Sequence, residues 1–466
     1  MKIGIFPLLK KYYFLLILIL LSLLIINYKS ILLMIAFGDQ LYSHKGDDFV
    51  NKVHQINPYY KIKYESFFKK HDTCTTSNFT DLPLLTKDEL IEHNDMLINP
   101  PYQKCTLKCR SSCVNDPFWF DETCAISQST GGTSGKSAFI WMNRYDAYLY
   151  IYSFVTSFKK NGYTYGDKGM VFYPANSYFT NEYEKDNNFL SIINAYMLSF
   201  DKIDKAKTEQ FVDSINTNRP EFLVIFPFVL LKLCINIRKY NMKLEHNPKN
   251  INLSGEYLLD CSLHFCKETF PESNIENTYG AVEFGEIAHQ VKGDKNTFEV
   301  FNQICYLENS GDKIVVTSFI NNTFPIIRYL MEDIGTIENK NGKQYITNLI
   351  GKETNQIIIG NSKFTSLDVD KLVNYVNMNN SIISLVIKYD KNSVDVNYII
   401  YNKCSTAEEK QMRDKTVEFI GRFFPATKCS VFFIEDYEHD YLKKFKIIMK
   451  KNNTDNEPVG GFYKFK

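Results

Sequence analysis

A glycine-rich stretch, STGGTSGKS, occupies residues 129 to 137 and constrains this chain more than any other part of it. It holds three glycines and one lysine, and the remaining positions all carry a hydroxyl group. Glycines let backbone N–H groups crowd around an anion because no Cβ is in the way. The hydroxyls add hydrogen bonds and the lysine adds a positive charge. The stretch therefore predicts a phosphate-binding loop.

Two other interpretations of this loop are weaker. The Walker A pattern of P-loop NTPases, G-x-x-x-x-G-K-[ST], requires a glycine where this chain has Thr130. A flexible Gly/Ser linker rarely places a lysine directly after its last glycine and then continues into an aromatic segment. That segment, Phe139 to Phe158, contains no glycine or proline and predicts a long, largely buried helix. A glycine-rich loop that feeds a helix suits anion binding.

The N-terminal residues predict a membrane anchor over residues 1–38. Three lysines precede Tyr12 to Ile26, a run of fifteen apolar or hydroxyl residues. Extension through Tyr28 brings the run close to the ~20 residues that cross a bilayer. No small-x-small cleavage site follows, which favours an uncleaved anchor over a signal peptide. A second apolar run, Ile31 to Phe37, leaves a bent monotopic hairpin open beside a single span, and a buried core helix is the third alternative.

Five of the 11 cysteines lie between residues 74 and 124. Their C-x₃-C-x₃-C spacing differs from the C-x₂-C of common zinc sites, and no histidine accompanies it. Disulfides, a metal site and unmodified thiols therefore all stay open. Disulfides would favour a lumenal location.

The body of the chain predicts an α/β protein of more than one domain. With 466 residues and 44% hydrophobic content it is long enough for two or three domains. Its net charge of +1 gives no argument for a nucleic-acid partner. Strands and helices alternate, as in the strand, proline turn and helix of Pro220 to Cys234. At Gly351 the pattern changes to that of a small α+β domain, which predicts a main domain over 39–350 and a second one over 351–466.

Local signals fix several further elements. Thr86 predicts a helix N-cap, with Glu89 completing a capping box. Strands are predicted at Ile275 to Phe284 and at Lys313 to Phe319. Helices are predicted in the C-terminal part, at Leu367 to Met378 and at Ala407 to Phe424. Three strands accompany them, at 384–388, 394–401 and 430–434.

Five motifs follow the glycine-rich loop in a fixed order along the chain. They are Ser254-Gly255-Glu256, Tyr279-Gly280-Ala281-Val282-Glu283, the segment from Pro325 through Arg328 and Asp333 to Gly335, Gly351-Lys352, and Lys443-Lys444-Phe445-Lys446. Together with the loop they resemble the adenylate-forming (acyl-activating) superfamily, in particular its phenylacetate–CoA ligase branch and the capsular-polysaccharide-biosynthesis relatives. The resemblance spans roughly Leu82 to Lys450.

This resemblance implies a large N-terminal α/β adenylation domain, a small mobile C-terminal domain, and ATP-dependent activation of a small-molecule carboxylate. ATP and Mg²⁺ are the implied cofactors, and CoA is one implied acceptor. The implied phosphate-binding residues are Thr130, Gly131, Gly132, Thr133, Ser134, Gly135 and Lys136. The implied adenine- and ribose-binding residues are Ser254, Gly255, Glu256, Tyr279, Gly280, Arg328, Asp333 and Lys352. Glu283 is implied as the Mg²⁺ ligand and, with Lys444, as a catalytic residue.

The chain departs from the family pattern at several of these positions. Lys352 stands where the family has an arginine, so the charge is kept and the fork geometry is lost. Leu330, Met331 and Glu332 replace Arg-Thr-Gly before Asp333, and no glycine precedes the lysine pair of the last motif. A membrane-attached nucleotide-binding pseudoenzyme or scaffold is therefore the alternative to an active ligase.

The predicted anchor and the predicted use of ATP constrain each other. Lysines ahead of the apolar run favour a cytoplasmic N-terminus. A single span would then place the main domain outside the cytosol, where ATP is scarce, whereas a hairpin would keep it inside. The sequence predicts a membrane protein with its catalytic domain on the cytosolic side, and it leaves the oligomeric state and the identity of the acid open.

Overall fold

The computed structural model describes residues 46–104, 124–129, 138–174, 190, 193–352, 355–377, 380–435 and 445–451. The predicted anchor, the predicted phosphate-binding residues 130–136 and Lys444 lie outside these ranges. None of the helices within them is long and apolar enough to cross a membrane.

Short helices open the described part of the chain and lead into a small sheet. They are α1 (Gly46–Ile56), α2 (Pro58–Lys63), α3 (Glu65–Lys70) and α4 (Lys87–Glu92), followed by β1 (Gln103–Lys104), β2 (Cys124–Ser129) and β3 (Phe139–Met142). The Thr86 hydroxyl accepts a hydrogen bond from the Glu89 N–H, and the Glu89 carboxylate accepts one from the Thr86 N–H. This reciprocal pair is the predicted capping box, and it fixes where α4 begins.

The segment after the glycine-rich loop begins as a strand, so the prediction of a helix from Phe139 was wrong over its first residues. β3 pairs antiparallel with β2, and Ser129 lies opposite Phe139 in the register. The side chain of Asn143 then accepts a hydrogen bond from the Asp146 N–H and caps α5 (Arg144–Lys160). Residues 130–138 therefore connect two paired strands, and the helix begins only after the second of them.

A mixed sheet of eleven strands forms the centre of the described residues. Its parallel part comprises β4 (Gly169–Pro174), β5 (Ala195–Phe200), β6 (Phe222–Ile225), β7 (Asn250–Ser254) and β8 (Asn274–Ala281). Its antiparallel part comprises β9 (Gly285–Val291), β10 (Asp294–Val300), β11 (Cys305–Ser310), β12 (Lys313–Ser318), β13 (Tyr329–Lys340) and β14 (Lys343–Lys352). The spatial order is β11-β12-β13-β14-β10-β9-β8-β7-β6-β4-β5.

Helices cover both faces of the parallel part. Besides α5 they are α6 (Lys205–Asn218), α7 (Pro227–Lys239) and α8 (Asp260–Thr269). The run FLVI of β6 is buried at every position, which suits a central parallel strand. Pro227 is the first residue of α7, where its fixed φ and missing N–H cost nothing. The predicted strand, proline turn and helix are thereby confirmed.

The residues after β14 form a second, smaller layer, which we call the C-terminal unit (the described residues from 355 to 451). It contains β15 (Gln356–Ile359), β16 (Ser362–Thr365), α9 (Ser366–Val376), β17 (Ile382–Tyr389), β18 (Ser393–Ile400), α10 (Thr406–Phe423), β19 (Lys428–Ile434) and β20 (Ile448–Lys450). Four of its strands form a sheet of order β19-β18-β17-β20. The predicted helices and strands of this part are present within one to three residues of their predicted ends.

The C-terminal unit rests on the helices that cover the main sheet. Ile383 and Ile399 of its sheet share one apolar cluster with side chains of α7 and α8. The Ser262 hydroxyl of α8 also donates to the Ile383 carbonyl at 2.6 Å. The mixed α/β fold that the sequence predicts is confirmed, and the two layers enclose a cavity between them.

Two of the five clustered cysteines, Cys74 and Cys124, lie within the described residues. Cys124, the first residue of β2, is disulfide-bonded. The described residues contain no group of three or more histidines, cysteines or carboxylates arranged to hold a metal ion. Of the three alternatives, the disulfide therefore applies to Cys124.

Candidate functional site

A cavity of about 340 Å³ lies between the main sheet and the C-terminal unit. The residues of the predicted nucleotide-binding set that line it are Gly255, Glu256, Tyr279, Gly280, Glu283, Asp333 and Lys352. Motifs that are almost 100 residues apart in the chain therefore meet around one space. Phe445, which follows Lys444 in the chain, lines the same cavity from the C-terminal unit.

The strand β8 carries Tyr279 and Gly280 to the cavity wall. The Tyr279 hydroxyl donates a hydrogen bond of 2.9 Å to Asp333 Oδ2, and the ring is 9% exposed. Burial, and then the charge of Asp333, raise the pKa of this phenol well above its usual value, so it stays a donor. A Cβ at Gly280 would lie 2.3 Å from the Gly285 carbonyl oxygen, so the hairpin between β8 and β9 requires glycine there.

Glu283 lies in that hairpin and lines the cavity. Burial raises the pKa of its carboxyl, and the charges of Lys87 and Lys352 oppose the rise. The Tyr329 hydroxyl lies 3.4 Å from Glu283 Oε1. A carboxylate held in this way, facing a cavity with two lysines, can serve as one oxygen ligand of a Mg²⁺ ion that arrives with a polyphosphate.

Asp333 and Lys352 face each other across the ladder between β13 and β14. Lys352 Nζ lies 3.1 Å from Glu332 Oε2, and the lysine side chain is 33% exposed. Asp333 has two acceptor oxygens, a chemistry that suits a pair of neighbouring hydroxyls. The rim of the cavity therefore combines acceptors with a mobile positive charge.

Ser254 ends β7 and Glu256 lies in the loop that follows it, and the sequence predicts both as adenine-side residues. The Glu256 carboxylate accepts hydrogen bonds from the Phe228 N–H at 3.1 Å and from the Phe445 N–H at 2.7 Å. The Ser254 hydroxyl donates to Glu286 Oε1 at 2.9 Å, and it is not among the cavity-lining residues. The structure brings the loop to the cavity but directs these two side chains to other partners.

Arg328 lies apart from the cavity, although the sequence placed it with the nucleotide-binding residues. Its guanidinium is buried and contacts Glu308, with Nε 2.8 Å from the carboxylate oxygen. It also donates to the carbonyls of Thr80 and Leu82. These contacts join β11 to the N-terminal segment, so the geometry gives Arg328 a position in the framework of the fold.

Lys87 is a cavity residue that the sequence did not single out. It is the first residue of α4, and the Leu85–Tyr329 bridge holds this helix start beside β13. The capping box locates the helix start in the sequence, but only the long-range bridge brings it to Glu283. Asn94, just after α4, donates to the Phe139 carbonyl at 2.7 Å, so the strands that flank the glycine-rich loop lie beside the same helix.

Known proteins resemble this chain in sequence and in fold. No family model matches the chain. Protein CapK of Staphylococcus aureus is 22% identical over 409 residues, which cover 84% of each chain. The indoleacetate–lysine synthetase of Pseudomonas savastanoi is 22% identical over 320 residues, which cover 66% of this chain and 70% of the synthetase.

Among solved structures, a 2-hydroxyisobutyryl-CoA ligase in its postadenylation state, in complex with R3-HIB-AMP, matches with a TM-score of 0.65. The identity is 13%, and the match covers 87% of this chain and 88% of the ligase. The same ligase in an open conformation with 2-HIB-AMP and CoA matches with a TM-score of 0.52. In its thioesterification state the TM-score is 0.50.

Proposed function

We propose that the chain, as a member of the adenylate-forming (acyl-activating) superfamily of ligases, joins a carboxylate to the α-phosphate of ATP. The carboxylate oxygen attacks the α-phosphorus, the bond from this phosphorus to the bridging oxygen breaks, and pyrophosphate leaves. The acyl-adenylate then passes its acyl group to an acceptor, and AMP is released. The observation that carries the proposal is the single cavity in which Tyr279, Glu283 and Asp333 meet.

A carboxylate is a poor electrophile because its leaving group would be oxide, so its activation requires alignment with ATP and neutralisation of charge. The described residues supply both. We assign the ribose hydroxyls to Asp333 and the adenine face to Tyr279. Glu283 is the residue that would hold Mg²⁺, and this ion neutralises phosphate charge when bound. Lys87 and Lys352 add positive charge on the same side of the cavity.

Two predicted groups complete this assignment from outside the described residues. The loop residues 130–136 are assigned to the β- and γ-phosphates, because they combine glycines, hydroxyls and a lysine. Lys444 is assigned to the bridge between the carboxylate and the α-phosphate. The division into domains at Gly351 also stays a proposal, and the separate sheets on either side of it support it.

The arrangement of the two layers corresponds, in our proposal, to the adenylation step. The same relative fits this chain better in its postadenylation state than in its thioesterification state, with TM-scores of 0.65 and 0.50. The coverage is nearly equal in both comparisons, 87% and 88% of this chain. We attribute this gap in TM-score to a different orientation of the C-terminal unit in the two states.

The acyl acceptor and the cellular location are two further parts of the proposal. CoA is the acceptor that the ligase relatives suggest, and the amine of an amino acid is the one that the name of the synthetase suggests. We propose that residues 1–38 attach the protein to a membrane and that the catalytic part faces the cytosol, where ATP is available. The support for this anchor is the apolar run of Tyr12 to Ile26.

Carboxylate-dependent ATP–pyrophosphate exchange tests the proposal. The full-length chain is assayed with aryl, fatty and amino acids, beside Glu283→Gln, which keeps the size of the side chain and removes its charge. Exchange with at least one acid, lost in the variant, is the expected result. No exchange with any acid, in protein that binds ATP and Mg²⁺, would leave the nucleotide-binding pseudoenzyme.

A further inference from the structure

The loop after β7 (residues 255–259) contacts the C-terminal unit through two adjacent side chains, Glu256 and Tyr257. Because both residues also line the cavity, the loop touches the proposed nucleotide site and the second layer at once. The polar group of each side chain binds the second layer, as its contacts show.

The Glu256 carboxylate connects the two layers. One oxygen accepts from the Phe228 N–H in the first turn of α7, where a negative charge is stabilised by the helix dipole. The other oxygen accepts from the Phe445 N–H of the C-terminal unit. The rings of Phe228 and Phe445 stack beside it, with centroids 3.7 Å apart and planes within 4°. The Glu256 carboxylate and the ring stack therefore both hold the chain at Phe445.

Tyr257 makes the second connection, to Asp370 of α9. Its hydroxyl donates to Asp370 Oδ2, and the Asp260 N–H donates to Asp370 Oδ1 at 2.9 Å. Lys295 Nζ lies 2.5 Å from Asp370 Oδ2 and 2.7 Å from Asp260 Oδ1. The Asp370 side chain is only 9% exposed. Three donors from the main domain therefore converge on one carboxylate of the C-terminal unit.

These contacts differ from the apolar packing between the layers. Apolar contact is proportional to area and has little directionality, so it allows related orientations. Hydrogen bonds to a carboxylate require a donor at a defined distance and angle, so a rotation of the C-terminal unit breaks them together. Their groups border a cavity, where water can replace the lost partners. Directional pairs of this kind select an orientation more than they add affinity.

We infer that Glu256, Tyr257 and Asp370 are positioning residues that hold the C-terminal unit in the orientation required for adenylation. This inference rests on the proposed function, and it replaces the predicted role of Glu256 in binding adenine. Phe445 directly follows Lys444, the proposed catalytic lysine, in the chain.

The test uses the full-length chain with Tyr257→Phe and Asp370→Asn, which remove a donor and a charge without changing side-chain size greatly. The matched control is Glu65→Gln, since Glu65 is exposed on α3, pairs with Lys69 and lies outside both peptides. Three quantities are measured: the maximal rate of ATP–pyrophosphate exchange, the Kd of ATP, and hydrogen exchange of peptides covering 366–376 and 445–451.

Both variants should lower the maximal exchange rate by about tenfold, the effect of one hydrogen bond to a charged group. The Kd of ATP should stay within about twofold, because no nucleotide contact is removed. Amide hydrogens of the two peptides should exchange faster in both variants than in the unmodified protein. In the control their exchange rates should not change.

Unchanged hydrogen exchange in both variants would overturn the inference, and so would a loss of ATP affinity that equals the loss of rate. If the unmodified protein shows no pyrophosphate exchange, the proposed function fails, whereas the hydrogen-exchange comparison still decides whether these residues hold the unit.

Discussion

Two charged residues of one motif, Arg328 and Asp333, end in different kinds of environment. The Arg328 guanidinium is enclosed, and its ion pair with Glu308 leaves 8% and 10% of the two side chains exposed. Asp333 faces the cavity, where it accepts from Tyr279 and lies opposite Lys352. We call the first the enclosed site and the second the open site. The comparison shows that residue type predicts chemistry, while the surrounding packing decides whether a ligand can use it.

The largest effect is expected from Arg328→Ala in the enclosed site. Removal of one partner of a buried pair leaves Glu308 buried without its cation, so we expect a loss of about 3–5 kcal/mol in the free energy of unfolding. Urea denaturation measures it. The control is Arg422→Ala, whose exposed pair with Glu418 should leave the free energy of unfolding almost unchanged. Equal losses in the two variants would remove the distinction between enclosed and open pairs.

Glu283→Gln should give the largest effect on activity in the open site. The carboxylate is the proposed ligand of Mg²⁺, and loss of one preorganised charge typically costs about 100-fold or more in rate. The rate of ATP–pyrophosphate exchange at saturating ATP and Mg²⁺ is the measurement. A rate within threefold of the unmodified protein would show that Glu283 is not used.

The difference between the two sites also explains what the sequence could predict. The motif order places Tyr279, Glu283 and Asp333 around one nucleotide, and the structure brings these three to one cavity. Capping boxes and apolar runs predicted elements such as α4 and β6 because these signals are local. Nothing local distinguishes Arg328 from a ligand-binding arginine, since its partners Thr80 and Glu308 come from distant parts of the chain.

Long-range contacts account for the other differences as well. Lys87 reaches the cavity only through the bridge between Leu85 and Tyr329. The strand at Phe139 was predicted as helix because its apolar residues fit either period, and pairing with β2 decided between them. Glu256 was assigned to adenine from its motif, whereas its two N–H partners come from α7 and from the C-terminal unit.

Asp333→Asn should weaken nucleotide binding by about tenfold, as expected for hydrogen bonds to a charged acceptor. The Tyr279 hydroxyl keeps an oxygen to donate to, so the fold should tolerate the change. Titration with ATP and with 2′,3′-dideoxy-ATP separates the two effects. The variant should lose affinity for ATP and match the unmodified protein with the dideoxy nucleotide, whereas an equal loss with both would place Asp333 away from the ribose.

Glu283 should also make stability depend on pH. Burial raises the pKa of its carboxyl, so the folded protein holds this proton to a higher pH than the unfolded chain does. Ionisation therefore costs stability as the pH rises through the folded pKa. Glu283→Gln should stabilise the protein by about 1 kcal/mol at neutral pH, a gain typical of relieved functional strain. The gain should vanish below the ordinary pKa of glutamate, and urea denaturation at both pH values measures it.

The smallest effects are expected at Lys352, where the open site meets solvent. The lysine is 33% exposed and its pair with Glu332 is 3.1 Å long, so Lys352→Ala should change the free energy of unfolding by less than about 0.5 kcal/mol. Its charge also favours ionised Glu283, so the same variant should weaken ATP binding by about twofold to fivefold. Lys352→Arg keeps the charge and adds a fork of donors, and it should bind ATP at least as well as the unmodified protein. The Kd of ATP is measured for both Lys352 variants, with Arg328→Lys as the corresponding variant of the enclosed site. If Lys352→Ala lost as much free energy of unfolding as Arg328→Ala, the open site would be part of the framework of the fold. Lys352 would then not be a positive charge that a nucleotide can pair with.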